Sequence, residues 1–269
     1  MIGIAGPYIG DFEQEIVTFR PYIRWVFQNT DVSKMYVNTH FNRMFLYENF
    51  IPPEQIIPVP EHLSRAEMEQ SGYIHNLIAP KDFNILVKMI KEDVVEREGC
   101  TKRDLEMFTL SYIKSTTPYS IYQKLFHSID GLDIKNPYKG KIVYIPYNDK
   151  RGRLKAVKQF LADYDSVIMG DQSTRFKDDN AVLARSDYFS NGWKLIVKAI
   201  SECKALICPV SHWAVIGNLQ QVPVFTWGEN VGQFKEGGIY NFNPNCEAIA
   251  TMKIDVIVRM IQHFLEGMR

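Results

Sequence analysis

Apolar residues along this chain fall into short runs that alternate with stretches of helical spacing. Met1 to Ala5 form an apolar run ending in "GPYIGD", and "FEQEIVTFRPYIRWVFQN" then carries apolar residues at helical spacing, interrupted by Pro21. This order reads as strand, glycine-bearing loop, helix. "KMYVNTH" and "QIIPVP" are short strand candidates separated by a helix-permissive "FNRMFLYENF", and together they open a parallel sheet.

Between 61 and 130 the pattern becomes helical throughout. "SRAEMEQSGYIHNLI", "PKDFNILVKMIKEDVVEREG", "TKRDLEMFTLSYIKS" and "SIYQKLFHSID" give four helical patterns, with Ser64, Asp104 and Ser120 as N-caps and no strand alternation. "GLDIKNPYKG", residues 131 to 140, is rich in Gly, Pro and Asn and reads as a linker. Beyond it the α/β rhythm resumes. "KIVYIPY", "SVIMG", "ALICPV" and "PVFTWG" read as strands, and "RLKAVKQFLADY", "SDYFSNGWKLIVKAISEC" and "HWAVIGNLQ" as the helices between them. Helices of this length between strands imply right-handed crossovers and a sheet covered on both faces. "ATMKIDVIVRMIQHFLEGM" is the last helix. The expected organisation is an α/β chain with one domain at 1–133, carrying the helical region 61–130, and a second at 140–269.

Composition changes this picture little. The chain has 269 residues and is 46% hydrophobic, enough for two modest cores, and its 31 basic and 31 acidic residues cancel. Zero net charge argues against a surface that binds nucleic acid as a whole, though not against a local basic patch. Cys100, Cys203, Cys208 and Cys246 form no CxxC pair, so neither a zinc ribbon nor a disulfide framework is expected. There is no basic n-region and no apolar run near the length of a membrane span, so the expectation is a cytoplasmic protein without a transmembrane segment.

Ligands of open parallel sheets bind outside the carboxyl ends of the strands, which singles out four places. In "GPYIGDFEQE", Gly6 and Gly10 permit a tight loop, and Asp11 is either a first-turn acid favoured by the helix dipole or a general base facing a crevice. Glu13 and Glu15 follow at the same loop-helix entry. In "YNDKRGRLK", Lys150, Arg151, Arg153 and Lys155 follow a strand and open a helix, and residues 135 to 158 hold eight basic residues against one acid, Asp149. Basic side chains at a helix N-terminus suit a diphosphate, and a solvated helix face is the plainer reading. In "MGDQSTRFKDD", a strand ends at Gly170 and Asp171, and Gln172 opens a polar loop that could read a nucleotide or merely connect elements. Ser211 and His212 come directly after the apolar "ALICPV" at the start of a helix. Ser211 can cap that helix, while His212 is either a ligand contact or a structural hydrogen-bonder.

Taken together, "IGIAGPYIGDFEQEIVTFRPYIRW", "IPYNDKRGR" and "ICPVSHWAVIGNLQQVPVFTWG" resemble the heptosyltransferase-like glycosyltransferases of the GT-B fold. The resemblance covers the first 25 residues and roughly 141 to 228. It implies two Rossmann-like domains facing across a cleft, with a helical insertion in the first. It further implies Asp11 as the base that deprotonates an acceptor hydroxyl, with Gly10 and Glu13 on the acceptor side. Lys150, Arg151, Arg153 and Ser211 would hold the donor's diphosphate, with His212 beside the leaving group, and Gly170, Asp171 and Gln172 would touch the nucleotide. The implied partners are a nucleotide-sugar donor, which is a co-substrate rather than a cofactor, and an acceptor glycan, lipid or hydroxymethylated DNA base. No metal is implied: cationic side chains and helix N-termini replace it, no DxD pair is present, and direct attack inverts the anomeric centre. The family's Asp-Thr-Gly before the Ser-His pair is replaced by Ile207, Cys208 and Pro209, and the helix after His212 is about three residues longer. Two alternatives stay open, a polysaccharide pyruvyltransferase-like enzyme and a non-catalytic scaffold that binds a nucleotide or glycan.

Overall fold

The computed structural model describes residues 1–8, 12–60, 80–109, 129–147, 150–170, 182–183, 192–236, 238, 240–241 and 243–268. The chain folds as two compact units, Met1–Leu132 and Asp133–Arg269.

In the first unit, β1 (Ile2–Ala5) leads to α1 (Phe12–Gln14), a π-helical segment (Glu15–Phe19) and α2 (Arg20–Asn29). Then come β2 (Lys34–Thr39), a 3-10 turn (Phe41–Leu46), β3 (Ile56–Pro58), α3 (Pro80–Glu98), a 3-10 turn (Lys102–Asp104) and β4 (Leu105–Phe108). The four strands are parallel in the order β3-β2-β1-β4. Ile4 and Tyr36, on one face of the sheet, pack against Ile90 and Val94 of α3.

Two expectations for residues 61–130 are corrected. The segment after Cys100 is a strand that pairs with β1, Ile2 beside Leu105 and Ala5 beside Phe108, and not a helix. Asp104 is not an N-cap: Thr101 holds that position, and the Asp104 carboxylate accepts both the backbone N–H and the hydroxyl of Thr101. Of the other helical patterns, "PKDFNILVKMIKEDVVERE" forms α3, whereas Ser64 and Ser120 lie outside the described residues.

In the second unit, β5 (Ile142–Tyr144), α4 (Arg151–Leu161), β6 (Ser166–Gly170), β7 (Val182–Leu183) and α5 (Gly192–Ser201) come first. They are followed by β8 (Ala205–Pro209), α6 (His212–Leu219), β9 (Val224–Trp227), β10 (Cys246–Ile249) and α7 (Ile254–Gly267). The strands are parallel in the order β10-β9-β8-β5-β6-β7. A central strand covered on both sides has no polar face, which is why "ALIC" is uninterrupted and fully buried. Period-two alternation divides its side chains. Ala205 and Ile207 join Val157 and Leu161 of α4 and Ile257, Ile261 and Leu265 of α7 in one core. Leu206 faces α6, where a Cβ on Gly217 would come within 2.6 Å of Leu206 and 2.7 Å of Val224. Glycine there lets α6 lie close on β8 and β9. The final helix starts at Ile254, later than its sequence pattern indicates, and Cys246–Ile249 before it extends the sheet as an edge strand.

Candidate functional site

Each sheet reverses its winding direction once. In the first unit β1, β2 and β3 run outward to one side and β4 lies on the other, so the crevice opens at the carboxyl ends of β1 and β4. Gly6 caps this edge with φ +109°, its N–H donating to Phe108 O at 2.9 Å. A Cβ at Gly6 would sit 2.5 Å from Asn38 O, so only glycine fits. Tyr8 N–H then donates to Asn38 O at 2.9 Å, and its ring stacks on Phe19 with centroids 4.8 Å apart. Gly10 and Asp11 lie outside the described residues; the chain is firmly held on either side of them, at Tyr8 and at the buried Phe12. Glu13 is half-buried in α1.

Glu15 occupies a more constrained place. It opens the π-helical segment and is fully buried. Its carboxylate pairs with Arg43 Nη1 at 3.0 Å and accepts the Tyr47 hydroxyl at 2.8 Å and the Thr39 hydroxyl. Burial raises its carboxyl above the usual range, opposed by the Arg43 charge first and then by the Thr39 bond and nearby His40. The Tyr47 phenol is pushed well above its ordinary value, by burial and then by Glu15. A carboxylate enclosed in this way cannot reach an acceptor. It instead fastens the first helical turns to the ends of β2 and the following 3-10 turn.

In the second unit β5, β6 and β7 run one way and β8, β9 and β10 the other, so the crevice lies at the carboxyl ends of β5 and β8. The segments after those strands are "IPY" and "VSH". The N–H of Ile145 donates to Ile207 O at 3.0 Å, carrying the pairing one residue past β5. The rings of Tyr147 and His212 meet edge-on at 4.9 Å. Trp193, half-buried on α5, stacks on His212 at 5.8 Å and an interplanar angle of 16°. Three elements therefore fix the plane of this imidazole. No motif in the sequence marked Trp193; its only signal was a large aromatic residue at the start of a helix in a parallel-sheet unit.

Both helices that begin at this edge, α4 and α6, start without an N-cap side chain bonded to the first turn. Ser211 is N-cap by position, but its hydroxyl donates backwards to Pro209 O at 3.0 Å, which corrects the expected side-chain cap. At that start, which has no side-chain cap bond, the dipole of α6 favours an anion. Lys150 and Arg151, both exposed, stand at the start of α4. Gly170 ends β6, beside β5, and is buried; Asp171 and Gln172 lie outside the described residues. Arg153 goes elsewhere. It is buried and donates to Met252 O at 3.2 Å, tying α4 to the segment before α7.

Two doubly wound units, each with a crevice at a winding reversal, define a chain of the GT-B-like α/β class. Solved structures sharing this fold include the glycosyl transferase family 9 protein from Veillonella parvula, with a TM-score of 0.54 at 11% identity, covering 99% of this chain and 97% of that one. The E. coli heptosyltransferase WaaC, solved with ADP, matches with a TM-score of 0.52 at 11% identity over 100% of both chains. The E. coli ADP-heptose lps heptosyltransferase II matches with a TM-score of 0.51 at 11% identity, covering 99% of this chain and 98% of that one. No family model and no curated protein sequence matches the chain. Among the described residues no helix is long and apolar enough to cross a membrane.

Proposed function

We propose that this chain is a glycosyltransferase that moves a sugar from a nucleotide-sugar donor to an acceptor hydroxyl. The observation that carries the reading is the second unit's crevice, where His212, held by Tyr147 and Trp193, lies at the start of α6. A diphosphate leaving group develops negative charge as the glycosidic bond breaks. Oriented first-turn N–H groups, the cations Lys150 and Arg151 and the fixed imidazole stabilise that charge, and no metal is required for it. The heptosyltransferases of similar fold, one solved with ADP and one named for ADP-heptose, favour a nucleoside diphosphate here.

Asp11 is assigned the general base. In sequence it follows the first strand, and the enclosure of Glu15 by Arg43, Thr39 and Tyr47 removes one of its two rivals, Glu13 being the other. Deprotonated by Asp11, the acceptor hydroxyl attacks the anomeric carbon directly and inverts it. The acceptor is a glycan, a lipid or a hydroxymethylated DNA base, and the site of action is the cytoplasm. The test is incubation with ADP-, UDP-, GDP- and CDP-sugars, with mass spectrometry of the released nucleotide and sugar. Release of a nucleoside diphosphate is expected, and Asp11→Asn should cut transfer about 100-fold while donor binding persists. Intact donors throughout would sink the reading, and normal turnover by Asp11→Asn would move the base elsewhere.

A further inference from the structure

Among the described residues of the second unit, Met252 and Ile254 are the large apolar side chains left exposed, at 41% and 40%. Their backbone is nonetheless held. Thr251 N–H donates to Ile249 O at 3.1 Å, Lys253 N–H donates to Thr251 Oγ1 at 3.2 Å, and Met252 O accepts the buried Arg153 at 3.2 Å. Ile254, the first residue of α7, reaches the first turn of α4, where a Cβ on Gly152 would lie 3.7 Å from its Cδ1. The two apolar side chains are therefore displayed from a fixed edge where α4 and α7 begin side by side. Basic residues gather at the same edge. Lys253 stands between the apolar pair, and Arg151 and Lys155 are exposed on α4 beside Gly152. Residues 149–156 and 251–256 hold five basic side chains, Lys150, Arg151, Arg153, Lys155 and Lys253, against two acids, Asp149 and Asp255. Arg153 is turned inward, and among the described residues none of Arg151, Lys155 and Lys253 forms an ion pair.

We propose that this edge of the second unit docks on an anionic lipid surface, with Met252 and Ile254 entering the headgroup layer and Lys155 and Lys253 meeting the lipid charges. The charge is complementary: a local basic excess in a chain of zero net charge faces a surface that is negative throughout. Aliphatic side chains interleaved with long cationic ones suit the boundary between headgroups and acyl chains, where the stems lie in the apolar layer and the ammonium groups stay in water. A lipid surface also fits the size of the patch. A stable protein interface buries about 800 Å² on each partner around a packed apolar core, far more than two partly exposed side chains supply, whereas a fluid lipid surface needs no matching shape. Lys155 and Lys253 lie outside the donor set of Lys150 and Arg151, and the contact does not depend on the glycosyltransferase reading.

The test is co-sedimentation of the full chain with vesicles of phosphatidylcholine mixed with phosphatidylglycerol, and with vesicles of phosphatidylcholine alone. Wild type should partition onto the mixed vesicles about tenfold more than onto the neutral ones, and added salt should weaken that partitioning. Met252→Ser combined with Ile254→Ser should reduce it about tenfold, and Lys253→Glu about fivefold. His212→Ala, a change in the donor crevice, should partition as wild type does. Circular dichroism checks the folding of each variant, and Lys253→Glu, a change at an exposed side chain, keeps the test decisive if the apolar double variant does not fold. A wild type that ignores the mixed vesicles, or binds the neutral ones equally, overturns the proposal. Unchanged partitioning in whichever of these variants folds overturns it too, as does loss of partitioning in His212→Ala. Self-association by sedimentation velocity that Lys253→Glu abolishes, with vesicles left unbound, would overturn it in favour of a second copy of this chain.

Discussion

Glu15 and Arg43 illustrate what a single pair can decide. They are 28 residues apart in sequence, fully enclosed, and joined at 3.0 Å. Removing Arg43 leaves a buried carboxylate without its cation, a loss of about 3 kcal/mol or more at neutral pH. The sign of the pH dependence follows from the raised carboxyl. The folded form holds its proton more tightly than the unfolded one, so its stability contribution is complete below the ordinary carboxylate value. That contribution is lost as pH rises through the raised value. Arg43 is the main influence opposing the rise, so Arg43→Met should be much less stable at pH 8 than at pH 5, with a steeper slope than wild type. Chemical denaturation of both proteins across that range checks this, and parallel slopes would show that Glu15 does not depend on Arg43. Nothing in the sequence could have singled out this pair, since any of 31 bases could have met any of 31 acids. The sequence did place Glu15 beside Asp11 at the helix entry, but not its removal from solvent. Ser211 shows the same limit, because its position before the helix is legible and the turn of its hydroxyl toward Pro209 is not.

At the scale of elements, the strands buried on both faces were readable, and of the edge strands β3 was read from "QIIPVP" while β4 and β10 were not. "ALIC" and "PVFTW" are apolar because helices cover both sides of the sheet, and continuous apolar runs survive any local ambiguity. β4 and β10 each have a single neighbouring strand and are mostly half-buried, so they admit Glu106 and Glu247 and lose the apolar signature. In "TKRDLEMF" the capping box formed by Thr101 and Asp104 makes a 3-10 turn look like the start of a longer helix. The π-helical register at Glu15–Phe19 likewise has no local sequence mark. The packing of α6 yields a quantitative expectation. Gly217→Ala gains about 1 kcal/mol of helix propensity but sets a methyl group within 2.7 Å of both Leu206 and Val224, in a fully buried layer. Overpacking of that kind costs about 1 to 3 kcal/mol, so the net effect should be destabilising. Leu206→Ala in the same chain should recover part of the loss. Denaturant midpoints of the single and double variants decide it, and a more stable Gly217→Ala would mean that α6 has room to shift.

At the scale of the molecule, zero net charge conceals a concentration of basic residues between 135 and 158. The fold divides that segment. Arg153 turns to Met252 O, Lys141 pairs with Asp165, and Lys150 and Arg151 remain at the crevice of the second unit. The four places read from strand ends do fall at carboxyl edges of the two sheets where they are described. The aromatic grip on His212 became visible only in three dimensions, because Tyr147, Trp193 and His212 come from three separate elements. The central claim is that this grip serves a nucleoside diphosphate. Calorimetric titration of ADP, UDP, GDP and CDP into wild type, His212→Ala and Lys150→Ala tests it most directly. The account predicts that at least one nucleotide binds and that each variant weakens it by about 1 to 3 kcal/mol, as expected for a lost charge-assisted hydrogen bond. Absence of binding to wild type at millimolar nucleotide would contradict it, as would variants that melt earlier yet bind with unchanged affinity.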